Sequence, residues 1–369
     1  MEEADHFKSV LIVGIGLIGG SLGLALKRKG FTGKIIGVDR PEVLEQAQRR
    51  GFLDEMYSNE ELESAASQAD LVFLCTPIDE IIHLLQKIGS YVKSGTLVTD
   101  VGSTKRRIVE TANIYLPSDV DFIGGHPMAG SEFRGVEAAD PFLFENTTYV
   151  LTPSRPIRET TRKMFGELLE MIGAKVLLLL PSLHDEIAAA VSHLPQVAAV
   201  AMMCLVADRQ KESPHFLKMA AGGFRDMTRI SSSPYGIWKD ILNTNADMII
   251  RYIDLYIKEL EKARDLLQKM EMENYFDKAA RNRLSIPKDT KGFLRPHYDI
   301  LVSVEDKPGV VYNIASALAE KNINIKDIEI LKIREDEGGT MRLAFSTEEN
   351  REDAIRLLRQ KGFECRKRE

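Results

Sequence analysis

Short apolar runs recur along the first 180 or so positions: Val10–Val13, Ile35–Val38, Leu71–Cys75, Leu97–Thr99, Phe122–Ile123, Thr148–Leu151 and Val176–Leu180. Helical stretches separate the early runs. This alternation predicts the βαβ rhythm of a parallel, doubly wound sheet, an α/β Rossmann-type domain over residues 1–181. Strand signals then nearly vanish, and residues 182–285 read as an all-α region. Within it Ile187 to Ala207 is strongly apolar. Ser192, His193, Pro195 and Gln196 interrupt that stretch, and no Lys or Arg anchors its N-terminal side, so a buried helix is predicted rather than a membrane span. A later helix carries Ile249, Ile253, Tyr256, Leu260, Ala263, Leu267 and Met270 at alternating steps of four and three. That seam suits an intrachain core helix or a contact between two copies in a homodimer. Residues 286–297, with Pro287, Gly292 and Pro296, predict a linker. From 298 to 369 the pattern becomes strand Asp299–Val304, helix Val310–Lys321, strands Ile325–Ile333 and Thr340–Phe345, helix Arg351–Gln360 and strand Phe363–Arg366. This β-α-β-β-α-β order is that of a ferredoxin-like α+β domain. It carries no catalytic cluster, which favours binding or oligomerisation.

Composition narrows the setting. A chain of 369 residues with 44% hydrophobic and 28% charged positions suits two or three globular domains. A formal net charge of −6 argues against a nucleic-acid surface. Cys75, Cys204 and Cys365 are too few and too far apart for a disulfide framework or a metal site, so no metal is expected and a reducing cytoplasm fits. The acidic opening Met1–His6 predicts no signal peptide.

The first candidate chemistry lies after the first run, at Gly14-Ile15-Gly16-Leu17-Ile18-Gly19. Gly14 permits a tight turn, Gly16 lets backbone approach a pyrophosphate, and Gly19 lets helix and strand pack closely. The amides around Leu17 and Ile18 would open the helix that faces the anion. Asp39 ends the second run, where it would accept bonds from ribose hydroxyls and repel a 2′-phosphate. NAD is therefore expected over NADP, although Arg40 could welcome that phosphate. Cys75, Thr76 and Pro77, at the carboxyl end of another strand, complete the predicted cofactor contacts.

Candidate catalytic groups sit at the neighbouring strand ends. His126, flanked by glycines that would let a ligand come close, can accept a proton from a substrate hydroxyl as hydride leaves its carbon. Ser103 could bridge that hydroxyl and the nicotinamide ribose, or cap the helix expected at Thr104. Gly222, Arg225 and Arg229 lie in Gly222-Gly223-Phe224-Arg225-Asp226-Met227-Thr228-Arg229, where a guanidinium fork would hold a carboxylate. His193 reads equally as a core histidine or a ligand contact, and Trp238 reads first as core.

His126-Pro127-Met128-Ala129-Gly130-Ser131-Glu132, Ser192-His193-Leu194-Pro195 and the Gly222–Arg229 segment together resemble the prephenate dehydrogenases of tyrosine biosynthesis, a family shared with arogenate dehydrogenases. The region after 297, with Lys307-Pro308-Gly309 and Asn322-Ile323-Asn324-Ile325, resembles an ACT domain, an amino-acid-sensing module. The resemblance implies NAD-dependent oxidative decarboxylation of prephenate. It assigns His126 to the C4-hydroxyl proton, Ser103 to the hydroxyl and cofactor, and Arg229 to a substrate carboxylate. His193, Ser131 and Glu132 would shape the pocket and Trp238 would close it. Tyrosine is expected as an inhibitor bound near Pro308, Gly309, Asn324 and Ile325. A nucleotide-sensing regulator without turnover is the reading from another class. It lacks the basic footprint such regulators carry.

Overall fold

The apolar runs assemble into one sheet: β1 (Ser9–Val13), β2 (Lys34–Val38), β3 (Glu55–Tyr57), β4 (Leu71–Leu74), β5 (Leu97–Asp100), β6 (Asp121–Pro127), β7 (Thr148–Pro153) and β8 (Lys175–Leu178), in the spatial order β3-β2-β1-β4-β5-β6-β7-β8. The computed structural model describes residues 7–130, 133–153, 155–285, 298–305, 307–334 and 338–367. The linker expected at 286–297, and Ser131 and Glu132, lie outside the described residues.

β1, β4 and β5 are buried at every residue. Their β-branched and leucine side chains serve two cores at once, as a sheet covered on both faces requires. Helices Leu17–Arg28 and Glu159–Met171 close one face, and helices Ile78–Ile88 and Arg106–Tyr115 close the other. Each fully buried Leu or Ile contributes roughly 1.5–3 kcal/mol.

Two details depart from the expected parallel sheet. β7 runs antiparallel to β6, with His126 opposite Val150. A parallel return needs a crossover, usually a helix, whereas the described chain between β6 and β7 forms only the short turn Val136–Ala138. β3 was not expected, because its Glu-Met-Tyr sequence is short, polar and confined to the sheet's edge.

The helical region packs onto the same unit, which spans Met1–Ala279. Helix Pro181–Ala188 continues through a π-helical turn, Ala189–His193, into helix Leu194–Arg209. Pro195 has no N–H to give to a carbonyl one turn back, which suits a local change of winding there. The expected burial of this stretch is not met within one chain. Only 22% of its most apolar window is covered, because its hydrophobic face is wider than the neighbouring segments can shield. The stripe on helix Ala246–Gln268 behaves likewise. Ile249 is buried, but Tyr256, Leu260 and Leu267 are exposed, and Met270 lies beyond the helix end. The intrachain-core reading of that seam therefore fails.

The second unit, Ala280–Glu369, contains β9 (Tyr298–Val304), β10 (Asp327–Arg334), β11 (Gly338–Phe345) and β12 (Cys365–Lys367). Their order β10-β11-β9-β12, all antiparallel, is the ferredoxin-like one. Helices Val310–Ala319 and Glu348–Gln360 enclose a small core with Ile300, Val302, Ile314, Leu318, Leu343 and Leu358.

Candidate active site

The glycine-rich turn after β1 is shaped by steric necessity. Gly14 has φ +94°, and a Cβ there would lie 2.9 Å from the Cys75 carbonyl and from Thr76 Cγ2. A Cβ on Gly19 would approach the Gly14 carbonyl oxygen to 2.1 Å, so any side chain would push the helix off the strand. Gly16 is different. Its missing Cβ would meet nothing within 4 Å, so its backbone stands open to a ligand. Helix Leu17–Arg28 starts there with no side-chain cap, leaving first-turn amides for an anion.

Asp39 braces this turn. Its carboxylate accepts from Ile15 N at 2.6 Å and from Arg40 N at 2.7 Å. Arg40 is drawn toward acids, 3.2 Å from Glu42 and 3.9 Å from Asp39, which weakens its attraction for a 2′-phosphate. A cleft of about 420 Å³ opens beside Asp39, Arg40, Gly14, Thr76, Leu84 and Tyr91. Thr76 Oγ1 is buried there without a hydrogen-bond partner. An orphaned hydroxyl in this cleft, with an open glycine backbone and an uncapped helix start on the turn that continues from Gly14 at its edge, fits a dinucleotide. Burial and the nearby Asp100 push the Cys75 thiol up, so it packs as an inert apolar group. Pro77 opens helix Ile78–Ile88.

His126 lies near the carboxyl end of β6, at the head of a chain of polar contacts. Its Nδ1 lies 2.8 Å from His184 Nε2, and His184 Nδ1 lies 2.8 Å from Asp185 Oδ1. Asp185 also accepts from the amides of Lys105 at 2.7 Å and Arg106 at 3.0 Å, at the start of helix Arg106–Tyr115. Asn245 donates to the Asp185 carbonyl at 2.8 Å and lies 3.3 Å from His193 Nδ1. Burial, with His184, Lys105 and His193 nearby, holds His126 well below the ordinary histidine range. Burial likewise lowers His193 to about 4. Asp185 stays below the usual carboxylate range despite its burial, because His184 and the two amides hydrogen-bond its charged form. The site thus holds an uncharged histidine backed by an ionised acid.

A buried ion pair fixes the strand beneath it. Lys105 and Asp100 are both fully buried and paired. Lys105 Nζ also donates to the Gly125 carbonyl at 2.6 Å, while Asp100 accepts from the amides of Gly125 at 3.1 Å and Gly102 at 2.8 Å. Both sides of the residue preceding His126 are therefore clamped.

Comparison with known proteins agrees with this geometry. Residues 22–178 match the family model described as "Prephenate dehydrogenase, nucleotide-binding domain", 180–280 match "Prephenate dehydrogenase, dimerization domain", and 298–361 match "ACT domain". A prephenate dehydrogenase of Bacillus subtilis is 36% identical over 95% of this chain and 95% of its own length. The chain belongs to the prephenate dehydrogenase family. It is a dehydrogenase with a nucleotide-binding Rossmann-like domain, a helical dimerisation domain and a C-terminal ACT domain. Among solved structures, the prephenate dehydrogenase of Aquifex aeolicus in complex with hydroxyphenyl propionate and NAD+ matches with a TM-score of 0.71 and 32% identity, over 77% of this chain and all of that one. Synechocystis arogenate dehydrogenase matches with a TM-score of 0.67 and 30% identity, over 76% of this chain and all of that one.

The other expected residues of this dehydrogenase fall as follows. Ser103 lies just beyond β5, at the same sheet end as His126, but it caps nothing: the helix begins at Arg106 without a side-chain cap, and Asp185 takes its amides instead. The glycines before His126 do not make room for a ligand. A Cβ on Gly124 would meet Thr152 Oγ1 at 2.4 Å, and one on Gly125 would meet the Asp100 carbonyl oxygen at 2.5 Å, so close strand packing selects them. His193 and Trp238 meet edge to face with ring centroids 6.0 Å apart, and Trp238 leans on the core beneath helix Ile78–Ile88. Gly222, Arg225 and Arg229 belong to an exposed segment held along helix Leu194–Arg209, where Gln196 donates to the Ile230 carbonyl at 3.0 Å. In the ACT unit Gly309 takes φ +89° to open helix Val310–Ala319. Pro308 and Asn324 are exposed there, and Ile325 packs on the small core.

Lys105, His184, Asp185 and Asn245 were not anticipated. The adjacent His184-Asp185 pair, polar beside an apolar helical stretch, is a signal that could have found two of them; Lys105 and Asn245 carry none.

Proposed function

We propose that the chain catalyses NAD-dependent oxidative decarboxylation of prephenate to 4-hydroxyphenylpyruvate, CO2 and NADH. One observation carries this reading: an uncharged His126 near the carboxyl end of β6, in the sheet whose other strand ends border the dinucleotide cleft. Gly14, Gly16, Gly19 and Asp39 would hold NAD, with the amides of Leu17 and Ile18 toward its pyrophosphate and Thr76 beside it. When bound, NAD supplies the hydride acceptor. His126 takes the C4-hydroxyl proton as that carbon gains ketone character, and Ser103 steadies the hydroxyl. Arg229, with Arg225 beside it, binds a substrate carboxylate through paired charge-assisted bonds. His193, Ser131, Glu132, Gly222 and Trp238 shape the pocket around the ring. Loss of CO2 then yields an aromatic product, so the driving force resides in the substrate and the protein mainly orients it.

The uncovered stripe on helix Ala246–Gln268 supports a homodimer in which two copies cover each other's apolar faces. Tyrosine acts as feedback inhibitor, bound to the ACT unit near Pro308, Gly309, Asn324 and Ile325. Removing residues 298–369 is expected to preserve catalysis and abolish tyrosine inhibition in a rate assay. Inhibition that persists would assign the effector to another site.

NADH formation tests the reaction itself, with prephenate or arogenate and with NAD or NADP. Prephenate with NAD is expected to give the highest kcat/KM. A preference for arogenate would favour the second reading, which the likeness to Synechocystis arogenate dehydrogenase keeps open.

A further inference from the structure

We infer that His184 and Asp185 form a proton relay that selects the tautomer of His126 and receives the charge it acquires. The inference rests on the proposed role of His126 as proton acceptor, and the contacts behind its ring extend that role. Asp185 is fully buried and collects the amides of Lys105 and Arg106 and the Nδ1 side of His184. An ionised carboxylate can only accept, so His184 must carry its proton on Nδ1. With that single ring proton, His184 presents a bare Nε2 to His126 at 2.8 Å. His126 must in turn donate from Nδ1, which leaves the lone pair on its Nε2 for the substrate. One buried acid thus orders two imidazoles in series.

The order has a consequence for the reaction. The substrate hydroxyl gives its proton to His126 Nε2, and the proton on His126 Nδ1 can pass to His184 Nε2. His184 then holds two ring protons beside the Asp185 carboxylate, while His126 is again neutral. The O–H bond breaks, an N–H bond forms, and the positive charge moves one ring closer to a negative group. His126 is also faced by Lys105 and His193, and Asp185 by Arg106 at 3.4 Å. Lys105 is already paired with Asp100 and has no site to accept a proton, and His193 Nδ1 faces Asn245, whereas His184 meets a carboxylate at hydrogen-bond distance through its second nitrogen. His184 and Asp185 are positioning residues here, since neither is argued to touch substrate.

Three variants of the full-length protein test the relay. Asp185→Asn turns the acceptor into a group that can donate, which allows both rings to reverse and places a proton on His126 Nε2. The expected result is a fall in kcat of about 10²–10⁴-fold, as for other orienting acids behind a catalytic histidine, with NAD affinity within about twofold of the parent. The acid limb of kcat/KM moves to lower pH, because the carboxylate that favours protonation of the imidazole pair is gone. His184→Phe is expected to match that loss. His184→Gln, whose side-chain carbonyl can still accept from His126 Nδ1, recovers at least tenfold over the Phe variant. Should Asp185→Asn fail to fold, the Gln-to-Phe ratio decides alone. Equal rates for the two His184 variants, or Asp185→Asn and His184→Phe turnover within threefold of the parent, would overturn the relay. If His126→Asn is meanwhile inactive, the proton-acceptor reading survives that outcome. Near-normal turnover in His126→Asn would remove both.

Discussion

The sheet and the helical region of the first unit are built from equally apolar segments, yet they end in opposite states. The inner strands lose all their apolar surface within the chain. The long helices after residue 181 keep much of theirs, with Val191, Leu205, Leu260 and Leu267 all exposed. The difference follows from geometry. A sheet roofed by helices on both faces closes on itself, whereas a helix has a surface all round and needs neighbours on each side. One region is therefore complete in a single copy, and the other leaves apolar surface that the proposed second copy would cover. The polar chain from His126 to Asp185 lies where the two meet, which ties the proposed chemistry to their mutual packing.

The sharpest way to break that junction is Lys105→Met. Asp100 would lose its partner in a fully buried position, and the clamp on Gly125 would open. The expected loss is about 3–5 kcal/mol of stability, read by urea unfolding. A change below about 1 kcal/mol would mean that the pair is dispensable.

Truncation separates the two regions. Phe73 is fully buried in β4 with its ring centroid 5.8 Å from that of Phe165, and Phe73→Ala is expected to cost about 3–5 kcal/mol wherever stability is measured. Leu260→Glu, on the exposed stripe, should barely alter the unfolding of an isolated chain but shift the oligomer toward monomer in sedimentation. An unchanged oligomer would assign the stripe some other role.

A smaller effect concerns pH. His193 titrates near 4 in the folded state and at the ordinary 6.5 when unfolded. The unfolded chain thus binds this proton first, and stability falls as pH drops from 6.5 toward 4. The contribution is about 3 kcal/mol at most, and His126 adds to it in the same sense. His193→Gln should flatten part of that slope in unfolding midpoints taken at pH 7 and pH 4.5. An identical slope would mean that other groups carry the dependence.

Much of this architecture is legible in the residues because periodicity reports burial directly. The runs at Val10–Val13 and Leu71–Cys75, the glycines at 14, 16 and 19, and the strand–helix order after residue 298 each have one physical explanation. The direction of β7 was hidden because a short apolar run looks the same whichever way it pairs. Lys105, His184, Asp185 and Asn245 were hidden for a different reason. Lys105 pairs with Asp100 nearby and His184 adjoins Asp185, but the contacts that carry them to His126, to the helix amides and to Asn245 span 20 to 80 residues, and nothing local separates a buried pair from a solvated one. The two glycines before His126 were noticed but misread, since ligand access and close strand packing both call for a missing Cβ.

Turnover of His126→Asn, followed as NADH formed from prephenate with NAD affinity measured in parallel, bears most directly on the proposed chemistry. A drop of about 10²–10⁴ in kcat with NAD binding intact is the expected result. A variant that turns over within threefold of the parent would contradict the assignment of the proton to this imidazole.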